Sequence, residues 1–283
     1  MISLEKTMDT ITTLFEMSHM SSLYIHGKDA ESFLQGQLTC HIELLEKFHA
    51  QPTACCNLQG RVIALFFVMH WQDGYLLILP KSIQETTLKH FKKYAIFSKI
   101  TFETPDLAFI GVNNAVPSSN EGQQPVLYTC LGHSVAIFSG ESAENDLAAY
   151  TNSFSHPKYL PWHYLQMTQG FPNIYPETQG LFLPHRIGLQ NLVGVLNFNK
   201  GCYLGQEIIA RTHFKAVLKH AIYLCEVSSE TTVKPGDSID DMLEIIDVAP
   251  TSAGYHFLAS IKIASISSLP SHIKILNILE NPH

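Results

Sequence analysis

The sequence predicts an α+β protein that ends in a small all-β barrel. Three observations carry this. Apolar runs of strand length, bounded by turn residues, are interleaved with helical periodicity through the first half. A Pro-, Gly- and aromatic-rich stretch at 155–190 breaks that pattern. After about Lys219, short strands alternate with turns. The length of 283 residues makes two domains the natural expectation, with three allowed.

In chain order, Asp29 is placed to cap a helix that carries Ala30, Phe33, Leu34 and Leu38 on one face. RVIALFFVMHW (61–71) and GYLLILP (74–80) read as strands joined through Gln72, Asp73 and Gly74. Ser82 and Glu85 form a capping-box pattern before a helix with Ile83, Leu88, Phe91 and Ala95 inward. LAFIGV (107–112) and SVAIFS (134–139) are further strands, separated by a Pro/Ser/Asn/Gly loop near 117–125, and a helix follows around 141–150. The stretch 155–190 reads as a connector, of a kind that can line a pocket because irregular backbone offers its N–H and C=O groups to a ligand. AIYLCEV (221–227), YHFLASIKIAS (255–265) and KILNIL (274–279), with the turn Lys234-Pro235-Gly236-Asp237, make up the barrel.

Composition excludes several classes. Hydrophobic residues make up 46% and charged residues 15%, which argues against disorder. A net charge of −7 argues against duplex nucleic-acid binding, while leaving room for a local basic patch. Glu5 and Asp9 fall where a signal peptide would be apolar. The apolar run 62–69 is shorter than the roughly 20 residues a membrane span needs. The six cysteines form no C-x-x-C pair and are expected as reduced thiols in a cytoplasm. Fifteen histidines are scattered without ligand spacing, so no metal site is expected. The dinucleotide, P-loop, zincin and nucleophile-elbow motifs are all absent.

The informative stretch is NKGCYLGQE (199–207). A short helix is expected from Glu207 to Phe214, with Ile208, Ile209 and Phe214 available for burial. Cys202 then lies just ahead of a helix N-terminus, where the dipole, unpaired amides and Lys200 favour a thiolate. Gly201 and Gly205 allow close backbone approach. From chemistry alone, Cys202 is either a nucleophilic or redox thiol, or a small buried hydrophobe in a glycine-rich turn. Lys200, Arg211, Lys215 and Lys219 against Glu207 alone form a local basic reversal, which either attracts an anion or is a solvated helix face.

KGCYLGQE, continued by IIAR, resembles the signature of the YgfZ family of folate-binding proteins, paralogues of the glycine cleavage T-protein, an aminomethyltransferase. GKDAESFLQGQLT (27–39), NLQGR (57–61), KKYAIFSKI (92–100), GFP (170–172) and LFLP (181–184) stand in family order, so the likeness spans roughly 20–225. It implies two interleaved ferredoxin-like α+β parts within 1–215, a C-terminal β-barrel within 216–283, and a central folate pocket. It implies tetrahydrofolate or another reduced folate as cofactor, and support of iron–sulfur enzymes, including those that thiolate tRNA, in the cytoplasm. Cys202 would be the reactive thiol and Lys200 its activator. Trp162 matches a tryptophan placed against folate, while Gly201, Tyr203, Gly205, Gln206, Glu207 and Arg211 would hold the loop or the ligand. The implied partners are iron–sulfur enzymes or cluster-assembly proteins, with no stable nucleic-acid binding and no membrane.

The chain also departs from the T-protein pattern. Ala64, beside Leu65, stands where the resemblance places a catalytic aspartate. Thr168 replaces a glutamate ahead of the Gly-Phe-Pro turn, and Met20 a second tryptophan. An accessory role is therefore expected over a folate-dependent aminomethyl or C1 transferase, with a folate-free thiol redox protein as the third reading.

Overall fold

A computed structural model describes residues 12–113 and 125–279. The loop expected near 117–125 lies outside the described residues but for its last position. The chain enters through β1 (Thr13–Glu16) and turns at once into β2 (Met20–His26), with Met20 N–H donating to Met17 C=O at 2.9 Å. These two strands belong to different sheets, and this interleaves the two α+β parts.

The first sheet holds β2, β3 (Gln51–Cys56), β4 (Val62–Trp71), β5 (Gly74–Pro80) and β6 (Thr101–Glu103), in the order β3-β4-β5-β2-β6. Helices α1 (Ala30–Gln37) and α2 (Lys81–Tyr94) cover one face and bury Phe33, Leu34, Ile83 and Phe91 against Phe66, Val68 and Leu77. The second sheet holds β7 (Leu107–Val112), β8 (Val126–Cys130), β9 (His133–Ser139) and β10 (Lys158–Pro161) with β1, in the order β10-β1-β7-β9-β8. Helix α3 (Ala143–Asn152) lies on its outer face. After α4 (Trp162–Thr168), two 3-10 turns and α5 (Gln206–Lys215), a third sheet forms from residues 220–278. Its strands are β11 (His220–Ser228), β12 (Ser238–Ile239), β13 (Leu243–Pro250), β14 (Gly254–Lys262) and β15 (Lys274–Ile278), in the order β12-β13-β14-β11-β15.

Each sheet turns one face to a shared core. Tyr24, Leu65 and Phe67 come from the first, Phe15 and Phe109 from the second, and Ile222, Leu224 and Leu258 from the third. Trp162, Phe171 and Phe182 of the connector fill the space between them, each at most 1% exposed. At about 1.5–3 kcal/mol for each fully buried large apolar side chain, these three hold the connector beyond its short β10–β1 ladder in place. Period-two alternation explains the division of β4: Ala64, Phe66 and Val68 face the helices, and Leu65, Phe67 and Met69 face the shared core.

Several expectations need correction. The third sheet does not close into a barrel among the described residues: β12 has two residues and pairs only with β13, and the opposite edge, β15, pairs only with β11. Asp29 makes no side-chain bond to α1; its carboxylate accepts instead from the N–H of Lys99 at 2.7 Å. Ser82 and Glu85 form no capping box, because α2 starts directly after the strand at Lys81, and Glu85 pairs with Lys89 at 2.7 Å. The connector contains α4, whose seven residues are too few to show a period, and LEIIDVAP (243–250) adds β13, a strand that the sequence does not predict.

Candidate functional site at the signature loop and helix α4

The signature loop is sewn onto the end of α1. Helix C-termini leave carbonyls without partners. Here the Lys200 ammonium donates to the carbonyls of Leu38 and Cys40 at 2.7 and 2.6 Å. Asn197 N–H donates to Thr39 C=O, and Leu204 N–H to Gly36 C=O. The Lys200 ammonium also stands 5.1 Å from the Tyr203 ring centroid. Burial lowers the Lys200 pKa to about 8, opposed in part by Cys40 and Glu43. The Lys200 charge expected to act on the thiol is engaged by these buried carbonyls.

Gly205 closes the other end of the loop. It sits at φ +81°, and a Cβ there would lie 2.5 Å from the Asn57 carbonyl oxygen and 2.8 Å from Gly60 Cα. The NLQGR turn and the signature thus meet glycine to glycine. Gln206 Oε1 accepts from the Tyr203 N–H at 3.4 Å, so this amide holds the loop. Tyr203 is buried in the shared core, which raises its pKa, and its hydroxyl has no partner among the described residues. Glu207 and Arg211 are exposed on α5, as is Phe214, at 68%, against the expectation that it is buried. Cys202 is exposed, while Cys40, Cys55, Cys56, Cys130 and Cys225 are buried. A Cβ at Gly201 would meet nothing within 4 Å, so nothing among the described residues requires a glycine beside that thiol. On α5, His213 stacks on Phe198 at 4.2 Å, and its Nδ1 lies 3.3 Å from Nε2 of the buried His185, a pair that scattered histidines gave no means of finding.

Helix α4 forms the second part. Trp162 is fully buried, edge-on to Phe15 and Phe67, with its ring so near Gly111 that a Cβ there would lie 2.6 Å away. The open ring face expected for stacking on folate is therefore not presented. One turn on, at the i+4 position of the same helix face, stands the buried Gln166. Trp162 Nε1, a donor, and Gln166 Oε1, an acceptor, are both buried without a partner among the described residues. Orphaned buried polar atoms are expensive, and a small polar heterocycle such as a pterin has edges of both kinds to offer them. At the C-terminal end of α4, Thr168, Gln169 and Gly170 line a cavity of about 180 Å³ with Gly188, Asn191, Leu192, Leu279 and, from the third sheet, Ile222 and Ile278. The two orphaned atoms match a reduced folate in polarity, although neither Trp162 nor Gln166 lines the cavity; Gln166 is not among the residues the sequence singles out. Thr168 itself donates to Leu165 C=O at 2.8 Å.

The other face of α4 is bolted to the third sheet by Asp247, which is fully buried. Its carboxylate accepts from His163 Nε2 at 2.8 Å, the Tyr175 hydroxyl at 2.6 Å, and the N–H groups of Asn173 and Val248 at 2.7 and 2.8 Å. Burial pulls the His163 pKa down, but the charge of Asp247 and its hydrogen bond outweigh this, and the net shift is upward. His19, 6.3 Å from His163 between ring centroids, is pushed down to about 4 by burial and by His163. A lone aspartate inside the apolar run LEIIDVAP was the available signal.

Strand β4 carries no Asp or Glu anywhere along VIALFFVMHW, so the lack of a carboxylate does not depend on which position is compared. Ala64 itself faces the helices, and the position toward the shared core beside it is Leu65. Among the described residues, no three His, Cys, Asp or Glu side chains are grouped to hold a metal ion, and no helix is long and apolar enough to cross a membrane.

Residues 5–125 match the family model of the GCVT N-terminal domain. A tRNA-modifying protein YgfZ of Buchnera aphidicola subsp. Schizaphis graminum is 31% identical over 254 residues, covering 81% of this chain and 77% of that protein. Another of that name, from Colwellia psychrerythraea, is 29% identical over 252 residues, with 82% and 77% covered. The glycine cleavage system aminomethyltransferase T of Bartonella henselae superposes with a TM-score of 0.62 at 12% identity, over 90% of this chain and 79% of that one.

Proposed function

Since the chain belongs to the YgfZ family, with the fold of an aminomethyltransferase T protein, we propose that it is a folate-binding accessory protein of the cytoplasm. It supports iron–sulfur cluster assembly or repair and, through that, iron–sulfur enzymes that include tRNA-modifying ones, in keeping with the name its relatives carry. The observation that carries this reading is a thiol presented outward on a fixed loop. Lys200, Gly205 and Gln206 are all occupied in holding the loop, and Cys202 is the one cysteine exposed at the surface among the described residues. A thiol displayed in this way suits reaction with a partner protein better than chemistry inside a closed pocket.

A reduced folate, when bound, supplies a carrier for a one-carbon unit. The chain's own contribution is a buried donor and acceptor at Trp162 and Gln166 and the cavity beside Thr168. With no carboxylate on β4 to move a proton, it binds the folate without turning over an aminomethyl donor. The rival reading, a folate-dependent aminomethyl or C1 transferase, predicts ammonia release when the protein is given a loaded lipoyl carrier and tetrahydrofolate.

The test is calorimetry with tetrahydrofolate on wild type and Gln166→Leu, beside that assay. Binding that weakens in the variant, with no ammonia released, is expected. No binding at millimolar folate removes the folate reading, and enzyme-like ammonia release favours the transferase. In cells, Cys202→Ser should lower iron–sulfur enzyme activity while the protein remains folded.

A further inference from the structure

The turn that follows α2 carries apolar side chains where turns ordinarily carry polar ones. Ser98 N–H donates to Ala95 C=O at 2.9 Å and closes a tight turn with Ile96 and Phe97 at its corners. Turn corners favour Gly, Pro, Asn, Asp and Ser. Here Ile96 is 74% and Phe97 98% exposed, the latter the most exposed large apolar side chain among the described residues.

The turn is also braced. Lys99 N–H is held by the Asp29 carboxylate at 2.7 Å, and the Gly27 backbone comes so close that a Cβ there would lie 2.5 Å from the Lys99 carbonyl oxygen. A tip held from both sides gives up little conformational freedom when something binds it.

The segment that carries it is basic in an acidic protein, with the Asp29 carboxylate the acid beside it. Lys92 and Lys93 are exposed in the last turn of α2, and Lys99 is exposed just beyond the tip. Segment 81–99 holds five of the eighteen Lys and Arg residues, and its one acid, Glu85, is taken by Lys89. Lysines at a helix C-terminus complement the dipole, but that leaves the two apolar corners unexplained.

We propose that the tip at 95–99 is a contact site for single-stranded RNA, with Phe97 as a stacking face, Ile96 packed beside it, and Lys92, Lys93 and Lys99 on the phosphates. An exposed aromatic face among a few cations is the composition of a single-strand platform. Protein interfaces are depleted in lysine, and two side chains are too small an apolar face to hold a membrane. The overall charge of −7 forecasts no stable nucleic-acid binding, but that charge averages the whole surface, whereas a single strand samples one patch weakly and with strong salt dependence. The site shares no residue with the folate or thiol sites, so it stands or falls separately from them.

The test is fluorescence anisotropy with a fluorescein-labelled single-stranded RNA of about twelve nucleotides, within the range such platforms cover. Wild type should bind it better than the matching duplex, with a log–log salt slope near −2 for three lysines. Phe97→Ala should weaken binding by about five- to a hundredfold, as loss of one stacked base does. Phe97→Leu should weaken it as much, and Phe97→Trp should retain it. Lys92→Gln with Lys93→Gln should flatten the salt slope. Unchanged melting curves will show that these surface variants are folded. Affinity retained by Phe97→Leu would mean an apolar dock and would overturn the proposal. So would equal binding of duplex, no binding by wild type, or Phe97-dependent binding to phosphatidylglycerol vesicles in place of RNA.

Discussion

A methyl group added at Gly205 would lie 2.5 Å from the carbonyl oxygen of Asn57, on a backbone already at φ +81°. Neither contact can move cheaply, because Asn57 C=O accepts the N–H of Gly60 at 2.9 Å within the facing turn. Gly205→Ala should therefore lose about 2–4 kcal/mol, through strain and displaced backbone. Gly201, four residues earlier, has neither constraint, and Gly201→Ala should change stability by no more than about 0.5 kcal/mol. Urea unfolding of the two variants decides this, and equal losses would refute the separation. If Gly201→Ala, stable as it is, fails to support iron–sulfur enzymes in cells, this glycine answers to a partner approaching Cys202 and not to the fold.

Helix α4 is stable for reasons that lie outside itself. Seven residues are too few for a helix to persist alone, and Pro161 ahead of it offers no side-chain cap. Trp162 anchors one face in the shared core, and Asp247 holds the other through His163. Asp247→Ala should cost about 3–5 kcal/mol, because it strands a buried imidazole, a hydroxyl and two N–H groups together. The histidines also give a signed pH dependence. His19 and His185 have folded values near 4, below their ordinary 6.5, chiefly through burial. Their contribution is present above about 6.5 and is lost as pH falls toward 4. His163 is shifted up, so its contribution is full below its ordinary value and is lost as pH rises through the folded one. The urea midpoint should drop between pH 6.5 and 4, and His185→Phe should shrink that drop. A drop of undiminished size in this variant would show that His185 does not stay neutral in the fold.

At the scale of the molecule, three sheets share one core and bury further clusters on their other faces, and together these enclose every cysteine but Cys202. Burial raises Cys40 to about 11 and Cys55 and Cys225 to about 12, and pushes Cys56 and Cys130 well up as well. Native protein should therefore expose one fast thiol to a chromogenic disulfide at neutral pH, Cys202, and all six once unfolded. Two or more fast thiols, or loss of none in Cys202→Ser, would contradict the arrangement. The outward thiol, the cavity at the end of α4 and the braced tip after α2 draw on different elements.

The amino-acid order by itself determined what depends on neighbours in the chain. Apolar runs such as VIALFFVMHW and LAFIGV, bounded by turn residues, set strands, and the spacing of Ile83, Leu88 and Phe91 set a helix. KGCYLGQE marked the loop and, through its resemblance, the family. The tertiary structure alone decided where the ends of long side chains go. Lys200 reads in sequence as a neighbour of Cys202, yet its ammonium reaches carbonyls 162 and 160 residues away. His163 finds Asp247 across 84 residues, and Trp162 closes over Gly111 with no open face. Periodicity reports the local backbone and which side is apolar. The partner of a buried polar group is set by which surfaces meet once the sheets have stacked, and one-dimensional order does not encode that meeting.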